Sequence, residues 1–371
     1  MRAFLLYRSW RNTLMICDTG SAATVVVYSG TKTMQYVLGL TGVKECCTCK
    51  PFDSSQKIQS TLILAQKNGF STGIVTTTRI THATPAASYA HSRDRNHEVD
   101  PSQNKNYSTS HWNFYNSEVS SSDSSFVCDD IASQLITNGL DFNVILGGGS
   151  KMFYQNASAV TPKSPGSRED GKNLFEQWLR EQQKRNRRYK LVFDSEELKQ
   201  MNLDEVDYLF GLLAPNHLDY EIGRTDQPSL SELTEIAVKI LSRNPKGYLL
   251  LVEGGRIDHG HHSNQANALS KSFDIPQRFV DPMYMVGFWV THICATRLKY
   301  TRYALTETLA LEKAVNTATK HVNLDETLMV VTADHSHAYG VIGYANRRTH
   351  ILDLDDSQVV GSGSVFIIPV S

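Results

Sequence analysis

Four short runs of this chain are rich in apolar residues and lack polar alternation: TGIVTTT at 72–78, NVILGGG at 143–149, YLLLVEGG at 248–255 and LMVVTADH at 328–335. A strand with one wet face alternates apolar and polar residues, whereas a strand covered on both faces does not need to. The runs therefore predict buried strands of a mostly parallel sheet. Helical patterns lie between them. In PSLSELTEIAVKILSRNPKG, residues Leu230, Leu233, Ile236, Ala237, Ile240 and Leu241 fall on one stripe. Ser229 or Ser231 can cap its start, and Pro245 and Gly247 stop it. Strand, helix, strand repeated in this way predicts an α/β sandwich.

At 371 residues with 40% hydrophobic content, the chain can bury a sizeable core, and it reads as a single domain. The formal net charge of −1 gives no electrostatic case for nucleic acid. The one strongly basic run, REQQKRNRRYK from Arg180 to Lys190, follows the helically spaced NLFEQWL and reads as a solvated helix end. Cysteines stand at 17, 46, 47, 49, 128 and 294, and a disulfide from the 46–49 cluster to Cys128 is expected. Sequons at Asn106 and Asn156 fit a secreted setting. No stretch is long and apolar enough to span a bilayer, and MRAFLLYRSWRN has too short an apolar run for a signal peptide.

In doubly covered parallel sheets, chemistry gathers beyond the carboxyl ends of the strands. Three such ends carry polar clusters: THAT after Ile80, EGGRIDHGHH after Val252 and ADHSH after Thr332. Asp258 and His262 are four apart, so on a helix both face one way and can grip one ion. Imidazole with carboxylate suits zinc, and the adjacent pair Asp334 and His335 suits a second ion. Glu253, with His82 and Thr84, is the harder, oxygen-rich set that suits magnesium. His259 and His261 are candidates to orient the ligands. Two zinc ions side by side point to phosphoryl transfer, which also needs a cation for the equatorial oxygens and a nucleophilic hydroxyl. YAHSRDRN offers Arg93 and Arg95; CDTGSAAT offers Thr19, Ser21 and Thr24 beside Asp18.

These strings resemble a known family. VEGGRIDHGHH, VTADHSH and VTTTRITHATPAASYAHSRDRN are similar to the alkaline phosphatases, their animal members in particular. CDDIASQLI, VILGGG, DGKNL and PSLSELTEIAVKILSRNPKG match in the same order, and the likeness covers about residues 17–267 and 303–354. The resemblance implies a three-layer sandwich, its central sheet flanked by helices. It implies a phosphomonoesterase with two zinc ions and one magnesium that works through a phosphoserine. It places Asp258 and His262 on the first zinc, Asp334 and His335 on the second, and Glu253 and Thr84 on magnesium with His82 close by. Arg95 would clamp the phosphate, His259 would sit near it and His337 would stand behind the ligands. Phosphate monoesters would be the substrates. A homodimer, and a secreted or membrane-anchored parent outside the cell, would be expected.

The chain also departs from the family pattern. It starts only just before the nucleophile segment, and it stops before the motif holding the last zinc-ligating histidine; His350, in RRTHILDLDD, stands in a different context. Within DTGSAATVVVYSGTK, Ser21 lies in a family-like SAAT and Thr19 directly follows Asp18; Ser21 is the chosen nucleophile. Residues 268–302 match nothing in the family and read as an insert. The expectation is a family member incomplete at both ends, weakly active or inactive alone. The competing readings are a catalytically dead isoform and a related metal-dependent phosphodiesterase or sulfatase.

Overall fold

The computed structural model describes residues 25, 27–47, 50–99, 128–158, 160–162, 164–262, 303–337, 340–342 and 366–368. Ser21, Thr19, the 268–302 segment and His350 lie outside these. The chain divides into two compact units: residues 1–218, 225–253 and 314–335 form the first, and residues 219–224, 254–313 and 336–371 the second.

The first unit is built on β1 (Ser71–Arg79), β2 (Val144–Gly148), β3 (Tyr189–Val192), β4 (Tyr208–Leu212) and β5 (Tyr248–Glu253). They form one sheet in the order β3-β4-β2-β1-β5, and every pairing is parallel. Burial follows position. β2 is buried throughout and β1 all but its ends, whereas the edge strand β5 is only half-buried. The sheet is covered on both faces, as the runs without polar alternation predict. On one face Ile74, Ile145 and Phe210 pack with Leu62 of α1 (Thr61–Lys67), Leu135 of α3 (Ile131–Asn138), and Phe175 and Trp178 of α4 (Leu174–Lys184). On the other, Leu241 of α6 (Leu230–Leu241) closes on Gly73 of β1. α2 (Ala83–Ala86) follows β1, and α5 (Ser195–Gln200) lies between β3 and β4.

The start of α6 is fixed by Ser229. Its hydroxyl accepts the Glu232 backbone N–H, and the Glu232 carboxylate accepts the Ser229 N–H in return. The basic run ends α4 as expected and is neutralised: Arg185 and Arg187 pair with Asp141, and Arg188 pairs with Asp207.

One expectation is corrected. Residues 328–333 are not a strand: they pair with no strand among the described residues, and Leu328 and Val330 are 88% and 70% exposed. An apolar run encodes a wish for burial, but a strand also needs a partner edge. Cys46 and Cys47 are bonded to each other, and Cys128 is itself disulfide-bonded; Cys49, the remaining cysteine of the 46–49 cluster expected to bridge to Cys128, lies outside the described residues. Joining sequence neighbours consumes both thiols of the pair.

In the second unit, α7 (Arg256–His262) is the helix on which Asp258 and His262 were expected. β6 (Gly340–Ile342) pairs antiparallel with β7 (Phe366–Ile368). No described helix is long and apolar enough to cross a membrane.

Candidate metal centre

Glu253 closes β5 in the first unit, opposite Thr76 in the register of β1. The Thr76 hydroxyl donates to Glu253 Oε2 at 2.5 Å and the Thr78 hydroxyl at 3.2 Å. Thr84, on the short helix after β1, is also hydrogen-bonded to this carboxylate. The structure thus joins the two residues expected to share magnesium. The two further threonines escaped the sequence reading. Burial raises the Glu253 carboxyl above its ordinary range, with the Asp334 charge adding to this, while the three hydroxyls act against it. Among the described residues Glu253 forms no ion pair. A half-buried carboxylate with hydroxyl donors and no protein cation among the described residues is suited to hold a metal cation.

Tyr28 stands close to the same charges. Burial first, then Glu253 and Asp334, push its phenol well up. Asp334 and His335 are turned toward each other, with Nε2 and Oδ2 3.7 Å apart.

The turn that brings Thr84 to Glu253 brings His82 to Arg95. Ala83, Pro85 and Ala86 are buried, and these small side chains let the turn sit close against its surroundings. Arg95 Nη2 donates to His82 Nε2 at 3.1 Å, and the Arg95 backbone N–H is held by Tyr36 O at 2.8 Å. The His82 ring meets His217 edge-on at 5.3 Å. His217 Nδ1 accepts the Arg79 backbone N–H at 3.0 Å. The Arg79 guanidinium is gripped by Glu98 through bonds of 2.7 and 2.5 Å, and the Thr81 hydroxyl joins Glu98 at 2.5 Å. His217, Arg79 and Glu98 were not singled out from sequence. Glu98 lies 19 residues from Arg79, and nothing local marks the pair. Arg93, the other candidate, spends its guanidinium on the carbonyls of Lys50, Glu45 and Pro51.

In the second unit, α7 does what the four-residue spacing requires. His262 Nε2 lies 3.3 Å from Asp258 Oδ1. Two ligands bound at about 2.0 Å in a tetrahedron stand about 3.3 Å apart, so this pair already has the spacing zinc asks for. His337 Nε2 reaches the same Asp258 oxygen at 2.6 Å. Its ring stacks on His261 at 4.8 Å and meets His262 edge-on at 4.8 Å. Burial would raise the Asp258 carboxyl, but the bonds from His262 and His337 outweigh it and hold the group far below the usual carboxylate range. A carboxylate kept ionised beside two imidazoles is a fitting donor set for zinc. The third histidine of the run, His259, turns Nδ1 to Arg256 Nη1 at 3.0 Å instead.

The alkaline phosphatase family model matches residues 5–279 and 295–368. The tissue-nonspecific isozyme of alkaline phosphatase from Felis catus is 35% identical over 356 residues, covering 94% of this chain and 58% of that protein. The membrane-bound alkaline phosphatase of Bombyx mori is 34% identical over 338 residues, covering 90% of this chain and 52% of its own length. The chain therefore spans between half and three-fifths of these relatives. Among solved structures, alkaline phosphatase from the Antarctic bacterium TAB5 superposes with a TM-score of 0.56 at 20% identity, covering 95% of this chain and 72% of that one. The Thermus thermophilus enzyme gives 0.52 at 24% identity, over 81% and 44%. At these identities the superpositions establish the fold.

Proposed function

Because the chain belongs to the alkaline phosphatase family, we propose that it carries the metal-binding and phosphate-binding parts of a phosphate-monoester hydrolase. The observation that carries this reading is Glu253, a half-buried carboxylate ringed by Thr76, Thr78 and Thr84 with no cationic side chain paired to it among the described residues.

The assignments follow the donor sets. Asp258 and His262 hold one zinc, Asp334 and His335 hold the second, and Glu253 and Thr84 hold magnesium with His82 close by. Bound there, the ions neutralise and polarise the phosphoryl oxygens. The remaining work belongs to side chains. Ser21, or Thr19 in its place, attacks phosphorus and expels the alcohol, and water then hydrolyses the phosphoserine ester. Arg95 offers its planar fork to the equatorial oxygens, and its bond to His82 keeps that fork from swinging away. Thr76 and Thr78 hold Glu253 in one orientation, as hydrogen-bonded partners of ligating carboxylates do. His259 faces the phosphate, and His337 fixes the Asp258 carboxylate. Grip on the phosphate and little else suits many monoesters. The functional form is a homodimer outside the cell, secreted or membrane-anchored. Of the 268–302 segment expected as an insert, residues 280–294 fall outside the family match and are the part that reads as inserted in one domain of the family type.

Turnover of p-nitrophenyl phosphate by the purified chain, with zinc and magnesium added, tests the reading. Hydrolysis that a chelator abolishes and added zinc restores supports it. Faster hydrolysis of the diester than of the monoester would replace it with a phosphodiesterase. No turnover, with less than one zinc held per chain, would replace it with a catalytically dead isoform.

A further inference from the structure

Three histidines follow Asp258 within four residues, and the structure separates the role of one. We propose that Arg256 is a positioning residue that fixes His259 as a hydrogen-bond donor to substrate phosphate and thereby removes it from the pool of metal ligands. This rests on the reading of His259 as phosphate-facing.

A guanidinium has N–H donors and no acceptor. Where Arg256 Nη1 meets His259 Nδ1 at 3.0 Å, the ring nitrogen must be the acceptor. An imidazole accepting at Nδ1 carries its proton on Nε2. That nitrogen can donate to an anionic oxygen and offers no lone pair to a cation. His262, one turn on, lies against Asp258.

The guanidinium is itself aimed. Its carbon lies 3.7 Å from the centroid of the Tyr220 ring. Tyr220 is backed by Tyr303, the rings 4.7 Å apart and 6° from parallel. The Glu307 charge favours the Arg256 cation, and its carboxylate accepts the Glu221 backbone N–H at 2.6 Å, which fixes the segment carrying Tyr220. An arginine stacked on an aromatic pair loses most of its freedom to swing, so its N–H points at Nδ1 persistently. All of these residues belong to the second unit.

Two readouts on the full chain, loaded with zinc and magnesium, test this. The first is the ring-nitrogen NMR signal of the protein labelled with 15N-histidine. His259, identified by its absence in His259→Ala, is expected to show the Nε2–H form alone, and Arg256→Met is expected to mix the two tautomers. Arg256→Lys, whose ammonium also only donates, is expected to keep the Nε2–H form. An Nδ1–H signal in the unsubstituted protein, or no change in Arg256→Met, overturns the proposal. The second is the dissociation constant for inorganic phosphate. Arg256→Met should weaken binding about ten- to hundredfold, the usual scale for losing an orienting partner. It should have no further effect once His259 is alanine, because the two act as one unit. Additive losses overturn the proposal. Circular dichroism of each variant establishes that it is folded, and Arg256→Lys decides should Arg256→Met not fold. If the unsubstituted protein takes up no phosphate, the phosphate-facing reading fails, while the ring signal still decides whether Arg256 sets the tautomer.

Discussion

Thr76 and Glu253 stand opposite each other across β1 and β5, and the threonine hydroxyl donates to the carboxylate at 2.5 Å. The pairing is a consequence of register. Parallel pairing sets Ser71 against Tyr248, and stepping along both strands brings Thr76 level with Glu253. A slip of one residue would turn the hydroxyl to the other face of the sheet and leave the carboxylate buried without it.

Thr76→Val tests how much that contact matters. Valine keeps the shape and the β-branched preference for a strand, so only the hydroxyl is lost. The protein is expected to lose about 1–3 kcal/mol of stability in urea unfolding without metal, the cost of leaving a buried acceptor short of a donor. Magnesium affinity should fall with it. An unchanged midpoint would mean that Thr78 and Thr84 satisfy Glu253 without help.

Much of this was legible in the sequence, for a specific reason. A strand of a parallel sheet need not alternate polar with apolar residues, so β1, β2 and β5 announce themselves locally as apolar-rich runs without alternation. The spacing of Asp258 and His262 is likewise local, because a helix turn fixes it. Thr76 and Thr78 were not legible as site residues. A threonine in a strand reads first as a strand former, and only the register with β5 shows what its hydroxyl meets. The same holds for Glu98 on Arg79. At 328–333 the local signal misled, because hydrophobicity says what to bury and not which edge to join.

Among the described residues of the first unit, Arg168 is an enclosed cation, its side chain fully buried. It donates to Asp130 at 2.9 and 3.1 Å and to Asp170 at 2.6 and 2.9 Å. Arg168→Met should cost about 3–5 kcal/mol in chemical unfolding, because it leaves Asp130 without its cation in a buried setting. A loss under about 1 kcal/mol would mean water reaches the carboxylates.

The same pair gives a pH dependence with a definite sign. Burial would push the Asp170 carboxyl up, but the bonds from Arg168 outweigh it and hold it far below the usual range. A carboxyl whose folded pKa is depressed adds stability above its unfolded pKa, and that stability is lost as pH falls through the folded value. Stability should therefore decline on acidification below the ordinary aspartate range, and Asp170→Asn should flatten that decline. Urea midpoints taken between pH 5 and pH 2 measure it. Parallel acid limbs for the two proteins would show that other carboxylates dominate.

Gly148, the last residue of β2, has no room for a side chain. A Cβ there would meet the carbonyl oxygen of Asn216 well inside van der Waals contact. Backbone cannot rotate away as a side chain can, so Gly148→Ala should destabilise by about 1–3 kcal/mol. Because Asn216 neighbours His217, the shift should also disturb the His82–Arg95 bond and weaken phosphate binding. Thermal unfolding and phosphate titration on the same variant separate the two effects. Intact stability with intact phosphate affinity would show that the segment at Asn216 yields freely.

Metal removal tests the two parts of the centre separately. Ions that bind the folded chain and not the unfolded one stabilise it by mass action, about 2.7 kcal/mol at a hundredfold excess over the dissociation constant. Chelation should therefore lower the unfolding midpoint, and adding zinc or magnesium back alone should each restore part of it. Asp258→Asn removes the charge that His262 and His337 hold in place, so it should abolish the zinc response of the second unit and leave the magnesium response. Glu253→Gln should do the reverse. It should also raise the stability of the metal-free protein, because a carboxyl whose pKa is raised is a group the fold prefers uncharged. A Glu253→Gln protein less stable than the parent without metal would show that the three hydroxyls alone suffice for the charge, and the case for a cation at that carboxylate would fall.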